Sequence, residues 1–192
     1  MIPQTHGRKA EARARHLSRI VVRARPGAPT RGWLIAGPLR LPVALGRTGL
    51  KADKHEGDGG TPRGRFRPVR LWWRADRGPF PRSGLPTTRI TRDLAWCEDP
   101  TDRRYNKPFR RLKRADGTAE PGDVLWRDDR LYDLVIEIDH NRRPRVAGRG
   151  SAVFIHVARA GFSPTAGCVA LTPGDLRRLL EKIGPRTRIV VG

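Results

Sequence analysis

The chain has 192 residues, of which 37% are hydrophobic, a size that suits one domain with a sizeable core and is too small for two. Forty Lys and Arg against 19 Asp and Glu give a formal net charge of +21, which favours anionic partners such as nucleic acid or a cell-envelope polymer. The apolar runs are too short to span a bilayer, the charged N-terminus lacks the apolar core of a secretory signal, and two cysteines are too few for a disulfide scaffold.

Residues 1–17 are polar, basic and short of apolar anchors, which predicts a mobile N-terminal arm followed by one domain over residues 18–192. From Ile20 onwards the pattern changes to short apolar runs with turn residues between them, which is typical of a mainly β fold. Seven runs are predicted as strands: "RIVVRA", "GWLIAG", "LRLPVALG", "VRLWW", "LYDLVIEI", "AVFIHV" and "RIVV".

Apolar and polar residues alternate clearly in the fifth run. Leu134, Ile136 and Ile138 share one face of this strand, while Asp133 and Glu137 point the other way, so we expect it to be half-buried. Residues 74–129, before it, are rich in Pro, Arg, Asp and Gly and show little periodicity. They predict a long excursion of loops over the sheet, and long ordered loops often carry function.

One helix is clearly delimited by its end signals. Thr172 is a suitable N-cap, Pro173 suits the first helical position, and Gly184 with Pro185 are stop signals. Apolar residues recur between them with helical spacing, at Leu176, Leu179, Leu180 and Ile183.

Two chemically distinctive residues precede this helix. His156 lies in the apolar run "AVFIHV", and Cys168 follows twelve positions later. A thiolate attacks carbonyl carbon, and a neighbouring imidazole both lowers the thiol pKa and carries the proton to the leaving group. Gly167 permits a backbone geometry in which amides near Cys168 point at a developing oxyanion. The alternative, that both residues are ordinary core groups, stays open at this point, and Cys97 is predicted to be a buried thiol.

Two stretches resemble a known family. "GSAVFIHVARAGFSPTAGC" (150–168) resembles the signature of the L,D-transpeptidase catalytic domain, the YkuD family, and "HEGDGGTPRGRF" (55–66) resembles the family's "GDGGTPxGxF" turn. The resemblance implies a YkuD-like β-sandwich with long loops and a short helix after the catalytic cysteine. It also implies a cysteine enzyme that remodels peptidoglycan stem peptides, with Cys168, His156 and Gly167 in catalytic roles and with no metal or cofactor.

Two positions depart from the family pattern, which has a histidine before the Gly-Cys pair and an arginine two residues after the cysteine. This chain has Ala166 and Ala170 there. It is similar in this respect to a divergent proteobacterial branch linked to an unusual cross-link at the L-alanyl to diaminopimelate bond. A donor carboxylate would then be met from elsewhere, and Arg159 is the first choice.

The other substrate-binding candidates are polar or aromatic groups near predicted loops and strand ends: Thr165, Tyr105, Asn106, His140 and Asn141. The family precedent is that a backbone carbonyl near Gly150 or Ser151 orients the histidine, with Asp139 as an alternative. The backbone amides of Gly167 and Cys168 are expected to hold the oxyanion.

Three functions remain open on the sequence. The first is an L,D-transpeptidase that joins peptidoglycan stem peptides, and the second uses the same pair of residues but delivers the acyl group to water, as an L,D-carboxypeptidase or endopeptidase. The third is a basic binding module for nucleic acid or an envelope polymer, although no specific nucleic-acid motif is present. The resemblance implies a periplasmic or cell-envelope location, and no signal peptide is visible in the chain.

Overall fold

A ten-stranded mixed sheet dominates the fold in the computed structural model, which describes residues 16–192. From one edge to the other, its strands are β6 (Gly64–Phe66), β15 (Arg188–Val191), β1 (Arg19–Arg25), β2 (Ala28–Ala36), β3 (Leu39–Ala44), β14 (Val169–Leu171), β13 (Phe154–Val157), β12 (Leu134–Ile138), β7 (Pro68–Trp73) and β8 (Thr87–Arg89). Strands make up 37% of the structure and helix only 6%, so the predicted mainly β class is confirmed.

The sheet folds back on itself into a sandwich. Strands β6 and β7 are separated by Arg67 alone, yet they lie first and ninth in the strand order, so the two ends of the sheet must approach each other. One apolar core fills the space between them, with Ile20 and Leu34 from one half and Leu71 and Ile136 from the other. All seven runs predicted as strands lie in this sheet, because short alternating or apolar segments between turns bury best as strands.

Strand β12 is buried on both faces, and the expectation of a half-buried strand was therefore wrong. Leu134, Ile136 and Ile138 belong to the main core, as the alternation predicts. On the other face, Val135 packs in a second apolar cluster and Glu137 is 6% exposed. The alternation identified the two faces correctly but carried no information about what covers the second one.

The cover comes from residues 74–129, which were expected to be loops alone. They include β8 and a separate three-stranded sheet made of β10 (Pro108–Arg110), β9 (Leu94–Trp96) and β11 (Asp123–Val124). Apolar side chains of this segment, including Trp96 and Leu125, form the second cluster with residues of β12 and β13. A further short pair of parallel strands joins β4 (Leu50–Lys51) and β5 (Thr61–Pro62).

The predicted helix is present as α1 (Pro173–Leu180). The Thr172 hydroxyl accepts a hydrogen bond from the Asp175 amide at 3.1 Å, which confirms the predicted cap. The helix ends at Leu180, earlier than the stop signal at Gly184 suggests. Its apolar stripe, Leu176, Leu179, Leu180 and Ile183, is fully buried in the main core, so the helix anchors the segment that follows Cys168.

The predicted N-terminal arm falls largely on residues 1–15, which lie outside the described residues. Its last two residues are described: the Leu17 amide donates to the Lys182 carbonyl, and the Leu17 side chain packs against the core. The boundary between arm and domain stays a prediction. No helix within residues 16–192 is long and apolar enough to cross a membrane.

Candidate active site

His156 and Cys168 lie on neighbouring parallel strands. His156 is in β13, where it aligns with Ala170 of β14, and Cys168 immediately precedes β14. Both residues line one cavity of about 580 Å³, together with Gly167, Arg159 and Thr165. The structure therefore brings these five predicted site residues together.

The Cys168 thiol is held by backbone groups. Its Sγ donates to the carbonyl oxygen of Ala152 at 3.2 Å and accepts a hydrogen bond from the Phe154 amide at 3.3 Å. Burial raises the thiol pKa to about 12, and the negative charges of Asp123 and Glu98 act in the same direction. The resting cysteine is therefore a neutral thiol, and activation of this thiol by His156 stays a prediction.

His156 is also neutral at rest. Burial lowers its pKa to about 4, against the smaller opposing effect of a hydrogen bond between Nδ1 and the Val157 carbonyl, 2.8 Å away. In the neutral ring this bond requires the proton on Nδ1 and leaves Nε2 as the basic nitrogen. No hydrogen bond joins His156 and Cys168 in the structure, because the thiol donates to the Ala152 carbonyl instead.

A backbone carbonyl does orient the histidine, as predicted, but it belongs to a different residue. Val157 provides it, and neither Gly150 nor Ser151 does. Asp139, the predicted alternative, instead accepts a hydrogen bond from the Arg67 amide at 2.7 Å. The sequence could not show which of these groups contacts His156, because that depends on the local path of the backbone.

Gly167 is required by its backbone conformation and by its neighbours. Its φ of +147° falls in the region that L-residues rarely adopt, and a Cβ there would lie 2.9 Å from the Gly60 carbonyl oxygen. The Thr165 hydroxyl accepts from the Gly167 amide at 3.1 Å and donates to the Cys168 carbonyl at 2.7 Å. Of the two amides predicted to hold an oxyanion, the Gly167 amide is therefore already engaged.

The upstream glycine-rich turn, residues 57–61, packs directly against this segment. Asp58 organises the turn by accepting from the amides of His55 and Gly60 and from Lys54 Nζ, at 2.6–2.8 Å. These bonds lower its pKa to about 2 against the opposing effect of burial, so the carboxylate stays charged. The two motifs that resemble the family thus form one contiguous site.

The remaining four predicted substrate residues do not line the active-site cavity. Tyr105 is buried and its hydroxyl donates to Glu56, while His140 and Asn141 hold the loop between residues 140 and 150 through backbone carbonyls and amides. Their roles in substrate binding stay predictions.

Asn106 supports the site from behind. Its Oδ1 accepts from the Ala152 amide at 3.2 Å and from Trp96 Nε1 at 2.9 Å, and its Nδ2 donates to the carbonyls of His140 and Asn141. Because the Ala152 carbonyl in turn accepts a hydrogen bond from the Cys168 thiol, Asn106 positions the residue that holds this thiol.

Three carboxyl groups that the sequence analysis did not identify line the cavity: Glu56, Glu98 and Asp123. Partial loss of hydration raises the pKa of Glu98 to about 7, with smaller contributions from Asp123 and Glu56, although its side chain still reaches solvent. Burial also raises the pKa of Asp123, whose Oδ2 accepts from the Tyr132 hydroxyl at 2.8 Å. Their sequence positions carried no signal, because only the folded segment 74–129 brings two of them here.

Three further cations line the cavity beside Arg159: Arg47, Lys54 and Arg127. Arg47 is exposed, and its guanidinium donates to the Gly57 carbonyl at 3.0 Å. Lys54 is 7% exposed and bonds to Asp58, and its Cε lies 3.6 Å from the position of a Cβ at Gly167. Arg127 pairs with Asp129 at 2.6 Å. Arg159 is 61% exposed and lies 3.8 Å from Asp129, so its side chain is more accessible to a ligand than that of Lys54 or Arg127. Residues 16–192 contain no cluster of His, Cys, Asp or Glu arranged to hold a metal ion.

Comparison with known proteins gives one result. Neither the curated proteins nor the solved structures provide a match to this chain. The family model of the L,D-transpeptidase catalytic domain, YkuD, matches residues 30–191, a span that includes both glycine-rich motifs, His156 and Cys168. Because this match covers most of the chain, the protein belongs to the YkuD family of L,D-transpeptidase catalytic domains.

Proposed function

We propose that the protein forms cross-links between peptidoglycan stem peptides, with Cys168 as the nucleophile and His156 as the general base. Membership of the family supports a role in peptidoglycan. The observation that carries the proposal is the shared cavity, whose wall combines a thiol, a neutral imidazole and the glycine turn at residue 167. Neutral partners suit this reaction, because the imidazole can accept the thiol proton as the sulfur attacks.

In the first half-reaction, Sγ of Cys168 forms a bond to the carbonyl carbon of a donor stem peptide. The thiol proton passes to Nε2 of His156, and the carbonyl oxygen becomes an oxyanion near the Cys168 amide. The carbon–nitrogen bond then breaks, and the proton on His156 leaves with the departing amine. The product is a thioester between Cys168 and the donor.

In the second half-reaction, the amine of another stem peptide attacks the thioester. Its carbon–nitrogen bond forms as the carbon–sulfur bond breaks, and the amine proton returns through His156 to the sulfur. The carboxyl groups of Glu98 and Asp123 suit an incoming ammonium group, which must approach and lose a proton in this cavity. The carboxyl groups of the cavity wall therefore favour an amine acceptor over water.

The two alanines of the motif support an unusual donor. Ala166 and Ala170 both line the cavity and offer neither charge nor a side-chain hydrogen bond. We assign recognition of the donor carboxylate to Arg159, and a cross-link at the L-alanyl to diaminopimelate bond follows from the resemblance to the divergent branch. The family is typically associated with the cell envelope, and we place this protein in the periplasm or envelope on the same ground.

The deciding experiment incubates the protein with purified muropeptides and analyses the products by mass spectrometry, with Cys168→Ala as the control. Cross-linked dimers that require Cys168 are expected. Shortened monomers alone would support the hydrolytic alternative, an L,D-carboxypeptidase or endopeptidase. Unchanged muropeptides together with salt-sensitive binding to nucleic acid or envelope polymer, equal in the Cys168→Ala variant, would support the binding-module alternative.

A further inference from the structure

A second cavity of about 350 Å³ lies apart from the active site and shares no lining residue with it. Trp96, Pro108 and Ile138 form part of its wall, and Asn106 separates it from the segment that holds Cys168. Four basic side chains also line it: Arg70, Lys107, Arg142 and Arg145. Its size is within the range of ordinary small-ligand sites.

These cations are poorly compensated by the protein itself. Glu137 is the single acidic residue of the wall, and its Oε2 already accepts from Trp72 Nε1 at 3.1 Å. Arg142 lies 3.8 Å from Glu137, whereas Arg70, Lys107 and Arg145 form no ion pair within residues 16–192. Burial raises the pKa of Glu137, which further favours its uncharged form.

Arg145 provides the most direct indication of a ligand. Its Nε is buried and has no hydrogen-bond partner among the described residues. This buried nitrogen is itself shielded from the cavity. The rest of the side chain is only half-buried, and its terminal guanidinium nitrogens donate to no described residue, so they are free to bind a ligand there. Guanidinium groups bind carboxylate and phosphate oxygens in a matching, charge-assisted geometry.

We propose that this cavity binds an oxyanion, the phosphate or carboxylate group of a small organic ligand, through Arg145, Lys107 and Arg70. The apolar wall at Trp96 and Ile138 suits the organic part. This site is separate from the proposed transfer reaction and does not depend on it. The excess of cations over Glu137 favours a ligand group with two or more negative charges.

Asn106 links this site to the nucleophile. It lines the second cavity, accepts a hydrogen bond from the Ala152 amide, and Ala152 accepts the Cys168 thiol. Two hydrogen bonds therefore connect Asn106, in the wall of the second cavity, to the Cys168 sulfur through Ala152. Binding of a ligand in the second cavity is therefore expected to change the rate at which the Cys168 thiol reacts.

Isothermal titration with inorganic pyrophosphate and with tricarballylate, at fixed salt, tests the site. Binding by either probe is expected to weaken at least about tenfold in Arg145→Gln and in Lys107→Gln, on the scale of one lost charge-assisted contact. Arg65→Gln is the matched control, since Arg65 is an exposed arginine of β6 outside this cavity, and it should bind as the native protein does. Stronger binding of pyrophosphate would identify a phosphate ligand, and stronger binding of tricarballylate a carboxylate ligand.

Protein alkylated at Cys168 should bind the probes unchanged, because the second cavity does not contain that residue. Three results would overturn the site: no binding of either probe, equal weakening in Arg65→Gln, or loss of binding on alkylation, which would place the probe in the active site. The link through Asn106 is tested by the alkylation rate of Cys168 at saturating pyrophosphate. A change is expected in the native protein and not in Arg145→Gln, and an unchanged rate in both would overturn the link.

Discussion

Cys168 is hydrogen-bonded to Ala152: its Sγ donates to the carbonyl oxygen of that residue at 3.2 Å. Ala152 has a φ of +49°, and its amide is held by Asn106. The resting thiol therefore points at backbone and not at His156. In the proposed reaction, the sulfur has to leave this acceptor before it can attack a substrate.

Iodoacetamide is expected to alkylate Cys168 and to spare Cys97 in the folded protein. Cys168 lines the active-site cavity, whereas Cys97 is buried away from it. Because the Cys168 pKa is raised to about 12, the rate should rise about tenfold for each pH unit between about pH 7 and about pH 10. Peptide mass spectrometry measures both sites, and urea-unfolded protein, in which both cysteines react, is the control. Equal labelling in the folded state would contradict the assignment.

His156→Ala should slow acylation by a carbapenem by a factor of about a hundred or more, the usual scale for a lost general base. The native rate should not fall between about pH 8 and about pH 5 through His156, because burial lowers its pKa to about 4 and the ring stays neutral across that range. Whole-protein mass spectrometry gives the rate. His55→Ala, at an exposed histidine, should acylate normally. The contrary result would be an acylation rate that falls below about pH 6.5 in the native protein but not in His156→Ala. It would mean that His156 is an ordinary, solvated imidazole.

Gly167→Ala should destabilise the protein by about 1–3 kcal/mol and abolish most acylation. The new Cβ would meet the Gly60 carbonyl at 2.9 Å, at a φ of +147°. Gly174→Ala is the control, because a Cβ in the first turn of α1 meets nothing within 4 Å. It should leave activity intact and stabilise the protein by about 0.5–1 kcal/mol. Urea unfolding measures both, and equal stability of the two variants would refute the packing argument.

Arg159→Ala should weaken the use of intact stem peptides by about 2 kcal/mol, and Arg159→Lys should restore it only in part. The guanidinium is exposed at the cavity and has only a distant partner in Asp129, so it is available to a carboxylate. The measurement is kcat/KM for cross-linking. Ala170→Arg should not improve it, because Ala170 is 1% exposed and pairs with Ala44 and His156 in the sheet. Faster cross-linking by Ala170→Arg would mean that the cation of the common motif is still required.

Glu98→Gln should lower the ratio of transfer to hydrolysis. The Glu98 pKa is raised to about 7, so its carboxylate forms as pH rises through neutrality and can then attract the acceptor ammonium. In the native protein the ratio should rise through about pH 7, and this step should be missing in the variant. Products from a fixed muropeptide mixture give the ratio at each pH. Glu181→Gln, at an exposed helix end, is the control, and a step that persists in Glu98→Gln would remove Glu98 from acceptor binding.

The sequence predicted what depends on local pattern. Turn residues and apolar runs located the seven strands, and the Thr172 cap located the helix, because these signals act over a few residues. The motifs at residues 55–66 and 150–168 indicated the site because they contain residues with distinctive chemistry or backbone freedom: His156, Gly167 and Cys168. The burial of both faces of β12 and the carboxyl groups of Glu98 and Asp123 escaped prediction for one reason. Both depend on residues 74–129, whose path over the sheet leaves no periodic trace in the sequence.

The contact between Gly60 and Gly167 makes two distant parts of the chain interdependent. Thr61, next to Gly60, also reaches the Cys168 carbonyl across a separation of 107 residues. Transplanting residues 165–168 into another scaffold would therefore give a cysteine without its supporting turn. Any transferable unit of this site must therefore contain both loops, and a change in either one has to be matched by a change in the other.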